Sequence, residues 1–477
     1  MEISEKRIVK NIFYLFVQAI GGRALSFILI IYLARKLGDL SFGKFSFANA
    51  FVQIFILFAD LGVSSLIIRE VAGDRENVNR YFSNGFFIKL ILSFFTFGMI
   101  SVSANIMKCP SDTKVVIYLI GLCNIVESLA NLFGSIFAGF EKMEYLFLTE
   151  IAEKIFLVSF CSLFLYLGYG LMTVALLYFF SSIFYFFLNI ILLFKNIEKL
   201  SFKIDLKFAN KLFRRSLPFA LGGLLVMFYY YIDSVMLGKM KGEQVVGWYS
   251  ASYQLCLVFG VISSVFLNAI FPVISRAFKT SKGSLYNIYK KSFKYLFTIG
   301  IPISVIGVIM GEKIVFLFYG KNYFNSVLPF QLIISVIGFS YLNSFFGYFL
   351  TAVDKVNEKN IIFGISTFTN VVFNFLLIPK YSYIGAGIAT IISELLFWIL
   401  CMIYVGRNFF HYFPVILVFK SLISSVIMGI FIKLFNQLNL FLLIFISIFI
   451  YFLFLFLFKY FDQDDKIIFR KIIQKNV

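Results

Sequence analysis

Histidine is almost missing from this chain: His411, beside an expected loop, is the single one in 477 residues. No Ser-His-Asp or Cys-His arrangement can therefore be assembled around a buried imidazole. Cysteine is scarce as well. Cys109, Cys123, Cys161, Cys256 and Cys401 are scattered without a C-x-x-C pair. That excludes a disulfide framework and a zinc site, and the five read as buried structural thiols. Tryptophan occurs twice and proline seven times. Charge is the most telling shortage. Only 14% of residues are Asp, Glu, Lys or Arg, against about 25% in soluble domains. A soluble multi-domain enzyme is excluded.

What fills the chain instead is apolar: 61% hydrophobic residues, 67 Phe among them, and a mean hydropathy of +0.92. About 20 consecutive apolar residues cross a bilayer as a helix. Runs of that length recur from 11–33 and 45–68 through to 440–459. They predict an all-α membrane protein of about fourteen transmembrane helices, with both termini on one side. The charged start, 1–10, leads into an apolar stretch too long for a signal peptide. The 43 basic against 24 acidic residues, a net charge of +19, would suggest nucleic acid on a soluble chain. Here they fit cytoplasmic loops, which collect Lys and Arg. With the N-terminus inside, the inner loops and termini hold about three times as many cations as the outer loops. Both termini are expected in the cytoplasm of a multi-pass cell-membrane protein, and no nucleic-acid partner is expected.

The longest inner connection carries seven of these cations between Lys195 and Arg215. Its second half, Asp205 to Arg215, reads as a short basic amphipathic helix at the membrane interface, an anchor more than a partner site. It divides the chain into a six-helix lobe, 1–195, a linker, 196–215, a second six-helix lobe, 216–406, and two extra helices with a cytoplasmic tail, 407–477. The halves repeat. Gly21-Gly22 is matched by Gly222-Gly223, Leu37-Gly38 by Leu237-Gly238, and Gly43-x-Phe45-Ser46 by Gly247-x-Tyr249-Ser250. Gly134, Phe137, Glu141 and Lys142 are matched by Gly347, Leu350, Asp354 and Lys355. Six helices per repeat make the repeats parallel, related by a pseudo-twofold along the membrane normal with a cleft between the bundles. That architecture points to a transporter.

Polar residues inside such runs are costly and face a bundle interior or a wet cavity. Arg23 lies about 12 residues into the first helix, roughly 18 Å deep at 1.5 Å per residue. Its planar fork suits phosphate or diphosphate oxygens; the alternative is a structural pair with Glu127. Asn49 and Gln53 on helix 2, Asn124 and Asn131 on helix 4, Tyr253 and Gln254 on helix 8, and Asn370 and Asn374 on helix 11 form polar stripes that could bind substrate. Asp60, Glu127 and Asp233 are candidates for ion coupling, with a plain structural role as the equal alternative, and Glu394 reads as structural. No catalytic residue and no metal ligand is assigned.

Several stretches resemble the polysaccharide transporter branch of the multidrug/oligosaccharidyl-lipid/polysaccharide exporter superfamily, the Wzx-type O-antigen and teichoic-acid flippases. They are Leu37-Gly-x4-Gly43-x-Phe45-Ser46, Asp60-Leu-Gly-Val with Ile68-Arg69-Glu70, Leu217-Pro218-Phe219 and Phe271-Pro272-Val-Ile-Ser-Arg276. Gly300-Ile-Pro302, Asn370-x3-Asn374-Phe-Leu-Leu-Ile-Pro379 and Gly385-Ala386-x-Ile-Ala-Thr390 complete the set. The resemblance implies fourteen helices in two lobes and alternating access. The substrate it implies is a polyprenyl-diphosphate-linked oligosaccharide, carried for cell-surface glycan assembly, with Arg23 as the cation of the cavity. Lys89, Arg69 and Lys154 are the candidates for a second cation. No cofactor is expected beyond a Na⁺ or H⁺ gradient. The expected partners are the lipid-linked oligosaccharide and membrane lipids, for a monomer working near a polysaccharide polymerase or glycosyltransferases. The alternatives are a cation-coupled multidrug antiporter of the same fold and a peptidoglycan lipid-precursor flippase. A membrane enzyme is disfavoured by the short outer loops.

Overall fold

The computed structural model describes residues 5–196, 202–463 and 465. Residues 197–201 of the linker and the basic tail at 466–477 lie outside them. The described residues are helical throughout, with no strand. Backbone packing divides the chain into two compact units, Met1–Ser250 and Ala251–Val477.

The first unit opens with α1 (Glu5–Ile56), two spans joined at Gly38, whose φ of 75° breaks the helix. The second span ends in a 3-10 turn, Leu57–Ala59, and resumes as α2 (Val63–Gly73). The sequence predicts one unbroken helix over 45–68. The break falls at Leu61 and Gly62, which take φ of 41° and 78°. Then come α3 (Val78–Ile106), α4 (Ser111–Gly139), α5 (Met143–Tyr166), α6 (Leu171–Asn196) and α7 (Leu206–Lys241). α8 (Glu243–Thr280) begins in the first unit and ends in the second. The packing boundary lies beyond the linker because α7 lies against α1, α2 and α3.

The second unit continues with α9 (Lys282–Tyr319), and with α10 (Val327–Ser335) and α11 (Ile337–Ala352), which meet at a 47° bend. α12 (Val356–Asn408) again holds two spans, broken at Ser382. α13 (Val415–Leu434) and α14 (Leu440–Leu457) pair with each other and pack on α9. Among the described residues, counting each broken helix as two spans, each bent pair as one and α5 as one gives fourteen spans, the number expected. α5 belongs among them: its 24 residues are long enough to cross at 1.5 Å per residue, although it carries Glu150, Glu153 and Lys154 mid-helix.

The internal repeat is visible in the backbone. Glu141 and Asp354 both take φ of 59°. After them the Lys142 N–H reaches the Phe137 carbonyl at 2.9 Å, and the Lys355 N–H reaches the Leu350 carbonyl at 2.8 Å. One match shifts. The turn equivalent to Gly38 is Gly242, φ 94°, while Gly238 is helical, so the Leu-Gly likeness of 37–38 to 237–238 is not a structural equivalence.

Lipid tails are as apolar as Leu, so burying apolar surface drives helix association weakly inside a membrane, and close packing matters more. In the first unit Val63, Leu66, Ile67 and Val71 of α2 pack with Phe82 of α3, Phe133 and Phe137 of α4, and Ala209 and Leu212 of α7. All five cysteines are free and buried, as expected of structural thiols.

Candidate functional site

At the far end of the first unit, away from the N-terminal segment, the starts of the two repeat-equivalent segments at Gly43 and Gly247 meet. Gly43 and Gly247, equivalent by sequence, touch. A Cβ on Gly43 would lie 1.9 Å from the Glu243 carbonyl oxygen, and one on Gly247 would lie 2.2 Å from that of Asp39. Side chains tie the same seam. Trp248 Nε1 and Gln244 Nε2 donate to Asp39 Oδ2 at 2.8 and 2.9 Å. Thr113 donates to Glu243, and Lys239 Nζ to the Met107 carbonyl at 2.7 Å. The seam is shut at this end.

The near end is held differently, by charge. Arg215 Nη2 lies 2.7 Å from Glu70 Oε1, which also takes Arg69 at 3.1 Å. The Arg69 guanidinium sits 5.4 Å from the centre of the Phe219 ring. Gly62 is required here twice over: its φ is positive, and a Cβ would meet the Ser216 carbonyl at 2.6 Å.

The residues singled out by sequence fall on both units. Arg23 is exposed, one residue round the helix from Gly22, whose Cβ would stand 3.6 Å from Glu150 Oε1. No partner holds its guanidinium among the described residues. The charges around Glu127 are Lys154, Glu153 and Glu150 of α5, so the Arg23–Glu127 structural pair is not formed. Gln53 Nε2 donates to Asn124 Oδ1 at 3.0 Å, and Tyr185 Oη to Asn131 Oδ1 at 3.1 Å. The stripes of α1 and α4 are thus brought together, with Asn49 half-buried nearby along α1. In the second unit Tyr253 and Gln254 are half-buried on α8. Asn370 and Asn374 are bonded to each other at 2.9 Å within α12, and Glu394 accepts from Ser340 and Asn343 at 3.0 and 2.6 Å.

Of the other carboxylates, Asp233 accepts from Tyr249 Oη at 2.8 Å. Asp60 is neutralised by Lys89, at 2.8 Å. The Lys89 side chain is fully enclosed and also donates to Ser64 Oγ at 2.9 Å and to the Ser128 carbonyl. Its three donors are committed, so as placed it offers nothing to a diphosphate. Lys89→Met leaves Asp60 without its cation and should lower stability by about 3–5 kcal/mol. Asp60→Asn/Lys89→Met should recover most of that, read as the unfolding midpoint in detergent; equal midpoints for the single and double variants would dismiss the pair as a stabilising unit.

Sequence reasoning passed over Glu150 and Glu153. Lys154 Nζ pairs with Glu153 Oε2 at 2.9 Å, Gln18 Nε2 donates to Glu150, and the Cys123 thiol lies 3.6 Å from Glu127 Oε1. Glu153 is 3% exposed, and its second oxygen has no hydrogen-bond partner. Acids three apart inside an apolar run were the available signal. The surroundings also bind Lys154, which is no free second cation.

Residues 8–278, more than half of the chain, match the profile of the polysaccharide biosynthesis protein family. The chain belongs to that family. A second profile, MatE, matches residues 218–376. The capsular polysaccharide biosynthesis protein CapF of Staphylococcus aureus is 24% identical over 81% of this chain and 96% of its own length. A putative O-antigen transporter of Shigella flexneri is 24% identical over 76% and 90%. Among solved structures, the lipid II flippase MurJ in an inward closed conformation superposes with a TM-score of 0.79 at 18% identity, covering 97% of this chain and all of that one. That likeness agrees with the helical fold read from the apolar runs.

Proposed function

We propose that this protein is a flippase that carries a polyprenyl-diphosphate-linked oligosaccharide across the cytoplasmic membrane by alternating access, for assembly of a cell-surface polysaccharide or glycan. Family membership supports the polysaccharide pathway. The observation that carries the substrate class is Arg23, a guanidinium midway along a membrane helix without a carboxylate bonded to it. Such a group is costly in apolar surroundings and matches a diphosphate in charge and shape. The same charge repels the organic cations that a multidrug antiporter would carry. The headgroup is moved unchanged, so no bond is made or broken. The Lys and Arg excess in alternate loops supports cytoplasmic termini.

Deleting the gene should raise lipid-linked oligosaccharide in the inner leaflet, and restoring it should relieve the build-up. Unchanged lipid-linked sugar with increased sensitivity to cationic compounds would overturn the proposal in favour of drug export.

Among the three candidate coupling carboxylates, Asp60 is already balanced by Lys89. Glu127 stands instead in a cluster of three carboxylates around one ammonium. Uncompensated buried charge is costly, and a proton is the smallest group that lessens the excess. Glu127→Gln should therefore uncouple transport from the pH gradient: flipping in vesicles should fall about tenfold when driven by a gradient, with exchange at equal pH retained. Transport indifferent to both proton and Na⁺ gradients would end the carboxylate assignment.

A further inference from the structure

The linker helix is more than a surface anchor. It is the first part of α7, bent by 54° from the rest between Ala220 and Gly223, and one face is docked onto protein. Ala209, Leu212 and Ser216 are buried, packed with Phe208 and Phe213 on the core of α2 and α3. Its start is clamped. Arg80 Nη2 meets Asp205 Oδ2 at 2.9 Å, and the same guanidinium lies 4.2 Å over the Phe208 ring. The Asp205 N–H donates to Asn84 Oδ1 at 2.9 Å. Asp205 also caps the helix, accepting the Phe208 N–H at 3.0 Å, a bond that holds its carboxyl below the usual carboxylate range. Further along, Arg215 closes on Glu70.

The opposite face is left over. At 100° per residue, Lys207, Lys211 and Arg214 stand half a turn from the buried row. All three are exposed, and none has a carboxylate partner among the described residues. Positions i, i+4 and i+7 set them over about 10 Å of helix. Beside them Ile204 and Leu206 are 52% and 66% exposed.

We infer that this face binds the phosphate headgroups of anionic phospholipids in the leaflet beside it, with Ile204 and Leu206 seated at the acyl boundary. Charge complementarity selects the occupant. Three cations strung along a helix meet successive headgroups, whereas the two phosphates of one diphosphate are adjacent and would use one of them. An amphipathic helix with a basic polar face and aliphatic flank is built for that boundary. The arm runs on into α7 and bonds α2 at Glu70, so the leaflet's charge acts on the near end of the seam. This last step rests on the flippase reading; the lipid site does not.

The test uses full-length protein extracted from membranes of mixed phosphatidylglycerol and phosphatidylcholine, with retained lipids counted by native mass spectrometry. Wild type should keep two or three phosphatidylglycerol molecules. Lys207→Gln/Lys211→Gln/Arg214→Gln, which keeps good helix formers, should lose them, with about fivefold weaker retention per cation removed. The exposed pair Lys279→Gln/Lys282→Gln should lose none. In reconstituted vesicles, wild-type flipping should rise with the phosphatidylglycerol fraction and the triple variant's should not. Equal lipid retention by wild type and the triple variant overturns the site. Equal retention of phosphatidylcholine and phosphatidylglycerol by wild type also overturns it. Lost retention with flipping still rising on phosphatidylglycerol overturns the link to transport while leaving the lipid site standing.

Discussion

Arg23→Ala is expected to stop export while leaving membrane insertion and thermal stability close to wild type. Nothing among the described residues leans on the guanidinium, so its removal opens no buried partner. On the proposed function it removes two or more charge-assisted hydrogen bonds to the diphosphate, worth about 1.5–3 kcal/mol each. Transport should fall at least a hundredfold by that arithmetic, with lipid-linked oligosaccharide held in the inner leaflet. Arg23→Lys should recover only part, because an ammonium keeps the charge and loses the fork. Export at wild-type rate by a well-expressed Arg23→Ala variant would remove the residue from the binding site.

Gly43→Val and Gly247→Val should each abolish transport by the opposite route, through the far-end seam rather than the substrate. The atoms that a Cβ would meet at 1.9 and 2.2 Å are backbone carbonyl oxygens, which no rotamer change can move aside. The seam must part, and the Asp39 bonds to Gln244 and Trp248 part with it. Only two tryptophans exist. In a Trp398→Phe background, emission from Trp248 should shift to the red in either glycine variant. Gly98→Val, where no neighbour stands within 4 Å of the added Cβ, should behave as wild type. Unshifted emission together with normal transport in Gly43→Val would show that the glycine contact is dispensable.

The spans were legible because membrane crossing imposes a length and an apolarity that any window of residues displays. The turns at Glu141 and Asp354 were legible too, since the repeat marks them twice. The break in the second span at 57–62 was not: the chain turns at Leu61 and Gly62, and the partners packed there, Lys89 on Asp60 and the Ser216 carbonyl beside Gly62, come from elsewhere in the chain. The Leu-Gly likeness of 37–38 to 237–238 misled because composition cannot tell which of two nearby glycines, Gly238 or Gly242, carries the positive φ. At the candidate site, residue types announced polarity but not pairing. Arg23 and Glu127 sit at similar depth and suggest each other, yet Glu127 is surrounded by α5. Lys89 and Lys154 looked available as cations until their carboxylates were placed. The linker's amphipathic pattern was plain, but which side faces protein depends on Phe82 and Arg80 of α3.

The far-end seam closes on two bare glycines and four side-chain hydrogen bonds. At roughly 1 kcal/mol net for each bond, the shut arrangement there is favoured by about 4 kcal/mol, a ratio near a thousand to one. A cargo then needs only about that much preference for the parted arrangement to bring both to equal population. The parted seam is then a minor state of the molecule at rest, and a cargo of modest differential affinity would set the cycle turning without any bond of its own at the seam.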